Sequence, residues 1–198
     1  MTSTRLFPLA GTAGLACALL LVVNAARRGG LLPDTDFTES IAPFAALAGL
    51  FALTGLYLWQ RVEAGVLGLI GYVLNAAGLA GAFAIEYALH FVLRYLDTAT
   101  IDRLVDGGTG IAFRATAFVL ISGVLAFSAA SLRARRFPPI PVALYAIGMV
   151  PGALRTAIPQ PAYLTALLLA AAAVAWRSLP LIKEGRPEGT LSPRRALP

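Results

Sequence analysis

The chain of 198 residues is poor in charge: only 13% of its positions are Asp, Glu, Lys or Arg. A soluble domain carries roughly a quarter, so water is not the main solvent of this chain. Histidine and cysteine occur once each, as His90 and Cys17. A single histidine excludes a bis-histidine haem within the chain, and a zinc site would have to draw on carboxylates or Cys17. A single cysteine excludes an intrachain disulfide and any C-x-x-C motif. Placed inside an apolar run, Cys17 is expected to be packing. No G-x-S-x-G occurs, so the serine elbow of the common hydrolases is missing. There is also no sustained heptad, no clear internal repeat and no soluble domain.

What the chain does have is hydrophobic residues, 58% of the total. Apolar runs of about 20 residues match the length a helix needs to cross ~30 Å of hydrocarbon, and several occur. A β-barrel would instead show alternating segments of about 10 residues. We therefore expect an all-α polytopic membrane helix bundle of six transmembrane helices. The spans fall at about 6–26, 40–60, 65–93, 110–132, 140–157 and 162–182, in a single domain 1–182, with Pro151 bending the fifth. Residues 183–198, rich in Pro, Gly and charge, are expected to be a disordered basic cytoplasmic tail. The first span, with a basic residue before it and "VVNAA" at its end, resembles a secretory signal peptide. Arg27 and Arg28 directly after that end argue against cleavage, so a retained helix is expected.

Six spans place both termini on one side. That side holds Arg5, Arg61, Arg133, Arg135, Arg136, Arg177, Lys183, Arg186, Arg194 and Arg195, ten of the sixteen basic residues. The other holds Arg27, Arg28, Arg94, Arg103, Arg114 and Arg155. Basic residues in short loops stay inside, so both termini are expected in the cytoplasm, with Arg27 and Arg28 dissenting. "RARRF" and the tail then act as orientation signals at anionic headgroups. Nucleic acid is not an expected partner, because there is no folded basic module and no aromatic platform.

Residues 85–97, "IEYALHFVLRYLD", break the apolar pattern. At 100° per residue, Gly68, Gly71, Asn75, Gly78, Ala82, Glu86, His90, Arg94 and Asp97 share one stripe of the third helix. Small residues let helices approach in lipid, and charges facing lipid are costly, so the stripe should face protein. Antiparallel topology brings Arg114 and Arg155 to a similar depth. We expect Glu86 to pair with Arg114, since each needs a counter-charge there. Glu86, His90, Arg94, Arg114, Arg155 and Asn75 are the candidate ligand-binding residues. A surplus of arginines over carboxylates suits an anionic or carboxylate-bearing guest.

The stretch "RARRFPPIPVALYAIGMVPGALRTAIPQPAYL", followed by a final helix ending in "LIKEG", resembles a diffuse group of uncharacterised bacterial polytopic integral membrane proteins. The resemblance is compositional and covers about a third of the chain. It implies six helices and a bacterial cytoplasmic (inner) membrane, and it implies no activity and no site residues.

The expectation is an integral membrane protein with an outward-facing polar intramembrane site for a small anionic molecule or lipid, serving as carrier, sensor or accessory subunit. No cofactor and no metal are expected. Two alternatives stand beside it. One is an intramembrane enzyme with Glu86 and His90 as acid–base pair. The other is a structural bundle in which the charges are a packing lock. Gly11, Gly14, Gly49 and Gly55 offer small-residue faces for packing within the chain or between copies in a homo-oligomer.

Overall fold

The computed structural model describes residues 3–155 and 157–184, and among these there is no strand. Helix α1 spans Ser3–Arg28, α2 Asp36–Ser40, α3 Phe44–Phe91, α4 Thr98–Asp106, α5 Gly108–Ala134, α6 Pro139–Ala153 and α7 Gln160–Glu184, with a 3₁₀ turn at Leu93–Tyr95. Of the expected disordered tail 183–198, Lys183 and Glu184 are instead the last residues of α7, because the helix runs on past its apolar segment, and the rest lies outside the described residues. Helices α1, α3, α5 and α7 are long and apolar enough to cross a membrane. Helix α6 is apolar but only 15 residues long, stopping two residues past Pro151. Leu19, Phe51, Val73, Phe118, Ile147 and Leu168 are all exposed, so apolar side chains face outward from every long helix. Such a surface is compatible with a membrane protein and would be a liability in water.

Helix α3 is not one rod. Gly65 takes φ +58° and ψ −152° in its middle, a backbone conformation that a residue with a Cβ resists. A straight helix would hold Phe44 and Phe83 about 58 Å apart, yet their rings lie 6.2 Å apart. The Thr54 and Tyr72 hydroxyls are 3.2 Å apart, and Tyr57 stacks on Tyr72 at 4.5 Å. Hence α3 is an antiparallel hairpin with arms 44–64 and 66–91.

The helices form a closed circuit of neighbours. Helix α1 packs on α7 and α3, α3 on α5, α5 on α6, and α6 on α7. Leu53, Leu56, Leu79, Val124, Phe127, Val142 and Val174 belong to their common core. In lipid, close packing rather than water avoidance holds helices together. The small-residue half of the α3 stripe is where it is closest: a methyl group on Gly71 would overlap the Phe127 backbone, and one on Gly78 the Leu120 backbone. Gly11 and Gly14 lie against Ser178, Gly49 against Cys17 and Gly55 against Ala10, so these four glycines are engaged within the chain.

Two ends are defined by contacts between loops. Beside the Gly65 turn, Glu63 accepts hydrogen bonds from Arg136 of the α5–α6 loop, through Nε at 2.8 Å and also through Nη2. This pairing holds the Glu63 carboxyl below its usual range. Phe7 of α1 meets Trp59 edge-on at 5.4 Å at the same end. The opposite end collects the α1–α2 loop, α2, the 3₁₀ turn and the α6–α7 connection. There Gln160 Nε2 donates to the Arg28 carbonyl at 2.6 Å. Helix α4 starts at this end on Asp97, whose carboxylate accepts from the Thr100 amide at 2.9 Å and the Thr100 hydroxyl at 2.8 Å. These bonds hold the Asp97 carboxyl below its usual range.

Candidate functional site

Glu86 sits in the last turns of α3, and His90 follows one turn later. That i, i+4 spacing brings His90 Nε2 to 3.2 Å from Glu86 Oε2. Two cations reach the same carboxylate from elsewhere. Arg155, just past α6, places Nη1 3.1 Å from Oε1, and Arg28, the last residue of α1, places Nη2 3.6 Å from Oε2. Glu86 keeps only about a fifth of its side-chain surface exposed, as does Arg28. One carboxylate thus faces two guanidiniums, so the trio carries a net positive charge.

A second network adjoins it. Arg27 Nη1 is 2.9 Å from Asp34 and 3.8 Å from Glu39. Arg94 pairs with Asp36 at 2.9 Å and with Glu39 at 3.1 Å. The hydrogen bond from Arg94 to Asp36 raises the guanidinium pKa above its ordinary value. Asn24 joins the two networks, its Oδ1 accepting from Arg27 Nη2 at 3.3 Å and Arg28 Nε at 3.1 Å. Arg27 is almost fully buried, and its Nε has no hydrogen-bond partner.

A cavity of about 510 Å³ opens beside these arginines, lined by Arg27, Arg28, Gly30, Asp34, Arg155, Ile158, Gln160 and Tyr163. Its volume falls in the ~300–1,000 Å³ range of small-molecule sites. Three of its eight lining residues are arginines and one is a carboxylate, so its walls favour an anion. Arg28 lies over the buried Tyr163 ring at 5.8 Å. Glu86 and His90 are not among the lining residues; Glu86 touches two that are, Arg28 and Arg155, and His90 touches Glu86. Among the described residues no three His, Cys, Asp or Glu side chains converge as metal ligands would.

Of the residues singled out in the sequence, Glu86, His90 and Arg155 come together and Arg94 joins the adjoining network. The expected Glu86–Arg114 pair does not form. Arg114 is exposed, and its guanidinium turns back along α5 to lie against Gly110. A long side chain that reaches the helix end in this way needs no counter-charge. Arg28 takes its place. Asn75 is fully buried far from the cavity, its Nδ2 donating to the Tyr145 hydroxyl at 2.8 Å. Eleven residues below Glu86 on one helix, it lies about 16 Å away.

Sequence reasoning set Arg27 and Arg28 aside as dissenting orientation signals. Their position one turn after Asn24, at the end of an apolar helix, was the available clue. It also counted Arg177 as an orientation signal, whereas this residue is only 1% exposed. Arg177 Nη2 donates to Ser131 Oγ at 3.2 Å. Its guanidinium lies 5.4 Å from the Phe127 ring, 5.1 Å from Phe137 and 5.3 Å from Tyr145. Among the described residues no carboxylate pairs with it. The apolar flanks in "AVAWRSLPLI" were the clue there.

Comparison of the chain with protein-family models, with curated proteins and with solved structures finds no match.

Proposed function

We propose that the protein is a six-span membrane protein of the bacterial cytoplasmic membrane, with both termini in the cytoplasm, whose outward-facing cavity binds a small anionic molecule or an anionic lipid headgroup. It would act as a carrier, sensor or accessory subunit. The two arms of α3 count as two crossings. Helix α6, reaching about 22 Å, crosses with local thinning of the bilayer. The charge asymmetry of the loops supports the orientation. A cysteine placed at Asp102 is then labelled on intact cells by an impermeant thiol reagent; protection there would invert the topology.

The observation that carries the binding reading is the sharing of Glu86 by Arg28 and Arg155 on the wall of a cavity of about 510 Å³. Two guanidiniums and one carboxylate leave room for a second anion, and arginine suits carboxylate, sulfonate and phosphate alike. The test is thermal unfolding of the purified protein with and without methanesulfonate, a monoanion whose charge is constant near neutral pH. Stabilisation that Arg28→Gln and Arg155→Gln abolish supports the site. An absence of stabilisation by methanesulfonate, by phosphate and by phosphatidylglycerol contradicts it.

One observation favours the packing lock instead: Arg27, Arg28, Arg94 and Arg155 each have a carboxylate within 4 Å. Glu86→Gln separates the readings. In a binding site Glu86 competes with the guest for the same guanidiniums, so its removal strengthens the anion response. In a lock the change lowers stability and creates no anion response.

A further inference from the structure

We propose that the anion enters this site together with a proton, which is held by the Glu86–His90 pair. The inference rests on the binding reading above. It takes its own force from the chain of contacts in the cluster: Arg28 and Arg155 line the cavity, Glu86 touches both, and His90 touches Glu86 without being among the lining residues.

The contacts of Glu86 are unequal. Arg155 lies at 3.1 Å and His90 at 3.2 Å, but Arg28 at 3.6 Å. Arg28 also makes a hydrogen bond to Asn24 and lies over Tyr163, so it can swing its terminal nitrogens toward the cavity while staying anchored. A monoanion that pairs with Arg28 displaces the weakest of the three contacts and leaves Glu86 with Arg155 and His90. The site then holds two negative charges against two positive ones, on a partly buried carboxylate. Uptake of one proton restores the original charge. With Nε2–H donating to Glu86 Oε2, the proton goes to His90 Nδ1 and makes the imidazole a cation facing the carboxylate. No bond other than N–H is made or broken, and the proton comes from solvent. The group in contact with His90 is Glu86 of its own helix, at 3.2 Å, and Arg28 of α1 and Arg155 of the α6–α7 connection bear on the imidazole through that carboxylate.

The chemical class of guest follows from the same walls. One anionic group pairs with Arg28, with Arg27 also on the cavity wall. Ile158 and the Tyr163 ring offer apolar surface beside it, so a small organic monoanion suits the cavity better than a bare polyanion.

Linkage requires that if a proton favours the anion, the anion favours the proton equally. The experiment measures the affinity of the purified full-length protein for methanesulfonate between pH 5.5 and 8.5. Calorimetry in two buffers of different ionisation enthalpy counts the protons. Affinity should weaken with rising pH, by up to about tenfold per unit for one linked proton, with net proton uptake on binding. His90→Gln should hold the affinity near its high-pH value and flatten the profile, while Arg114→Gln, exposed on α5, keeps the wild-type profile. Binding that is flat with pH, or a profile that survives in His90→Gln, overturns the inference and leaves the anion site standing. An absence of binding at every pH removes both.

Discussion

At one end of the bundle Arg28 and Arg155 share Glu86 beside an open cavity; some way along α7, Arg177 has no carboxylate partner among the described residues and is closed in by rings. Arg177 is 17 residues from Gln160 on α7, about 25 Å away. The two places solve the same problem by different physics. In the first, opposite charges offset one another and water reaches their edges. In the second, Phe127, Phe137 and Tyr145 present their electron-rich faces, each such contact contributing on the order of 1–2 kcal/mol when desolvated. Ser131, in the last turn of α5, accepts the one hydrogen bond that Arg177 is seen to donate, through Nη2 at 3.2 Å. Gln60 Nε2 also donates to Ser131 Oγ at 2.7 Å. The Arg177 cage is closed in on itself, with Nε and Nη1 left without hydrogen-bond partners, while the Arg28–Glu86–Arg155 trio carries a net positive charge with space beside it. A charge in a membrane helix is therefore not by itself a site; an open flank is what distinguishes one.

The comparison can be broken or sharpened by substitution. The largest effect is expected for Phe127→Ala, which empties a fully buried position and removes one wall of the cage. It should cost about 3–5 kcal/mol, the usual range for a buried Phe, in chemical or thermal unfolding. Arg177→Met should do the opposite. Replacing a buried ionic group by a well-packed apolar one is often neutral or stabilising by about 1–4 kcal/mol, and Met fits among aromatic rings. A large loss of stability in Arg177→Met would show that the cage depends on the charge.

Glu86→Gln should be milder than either, about 1–3 kcal/mol destabilising. The cluster lies between an exposed pair, worth little, and a buried one. Gly65→Ala tests the turn that folds α3 back on itself. No atom crowds a Cβ there, so its cost is the positive-φ backbone alone, about 1–3 kcal/mol.

The smallest effect concerns acid. The Asp97 and Glu63 carboxyls are depressed in the folded protein, so their contributions are present above the unfolded pKa and lost as pH falls through the folded value. The protection of the α4 amides against exchange, measured relative to the intrinsic rate at each pH, should fall at acid pH, and Asp97→Asn should remove most of that dependence.

Much of the architecture was legible because lipid-facing helices leave a simple record: long apolar runs, few charges, and breaks marked by polar or glycine residues. The reading ended one helix at 60 and began the next at 65, and the chain turns at Gly65 with Arg61 and Glu63 beside it. The small-residue stripe was legible as well, since Gly68, Gly71, Asn75 and Gly78 suit a close neighbour, and all four are buried. Partners across helices were not legible. Periodicity gives the phase of each residue on its own helix and topology gives its approximate depth, but neither gives the rotation of one helix against another. Arg114 and Arg28 sit at the same end of the bundle, and only packing turns the first out to the surface and the second onto Glu86. Arg177 escaped for a related reason: a basic residue a few positions from a helix end reads as an orientation signal, and its burial depends on Phe137 folding in from the α5–α6 loop.

The most direct test of the account is the methanesulfonate response of Glu86→Gln against wild type, followed by thermal unfolding of the purified protein across a concentration series. If Arg28 and Arg155 form an anion site in which Glu86 is the built-in competitor, the variant is destabilised without anion and recovers with it, gaining more per unit of methanesulfonate than wild type. If Glu86→Gln is destabilised and methanesulfonate does nothing for either protein, the cluster is a lock and the cavity is not a site for anions.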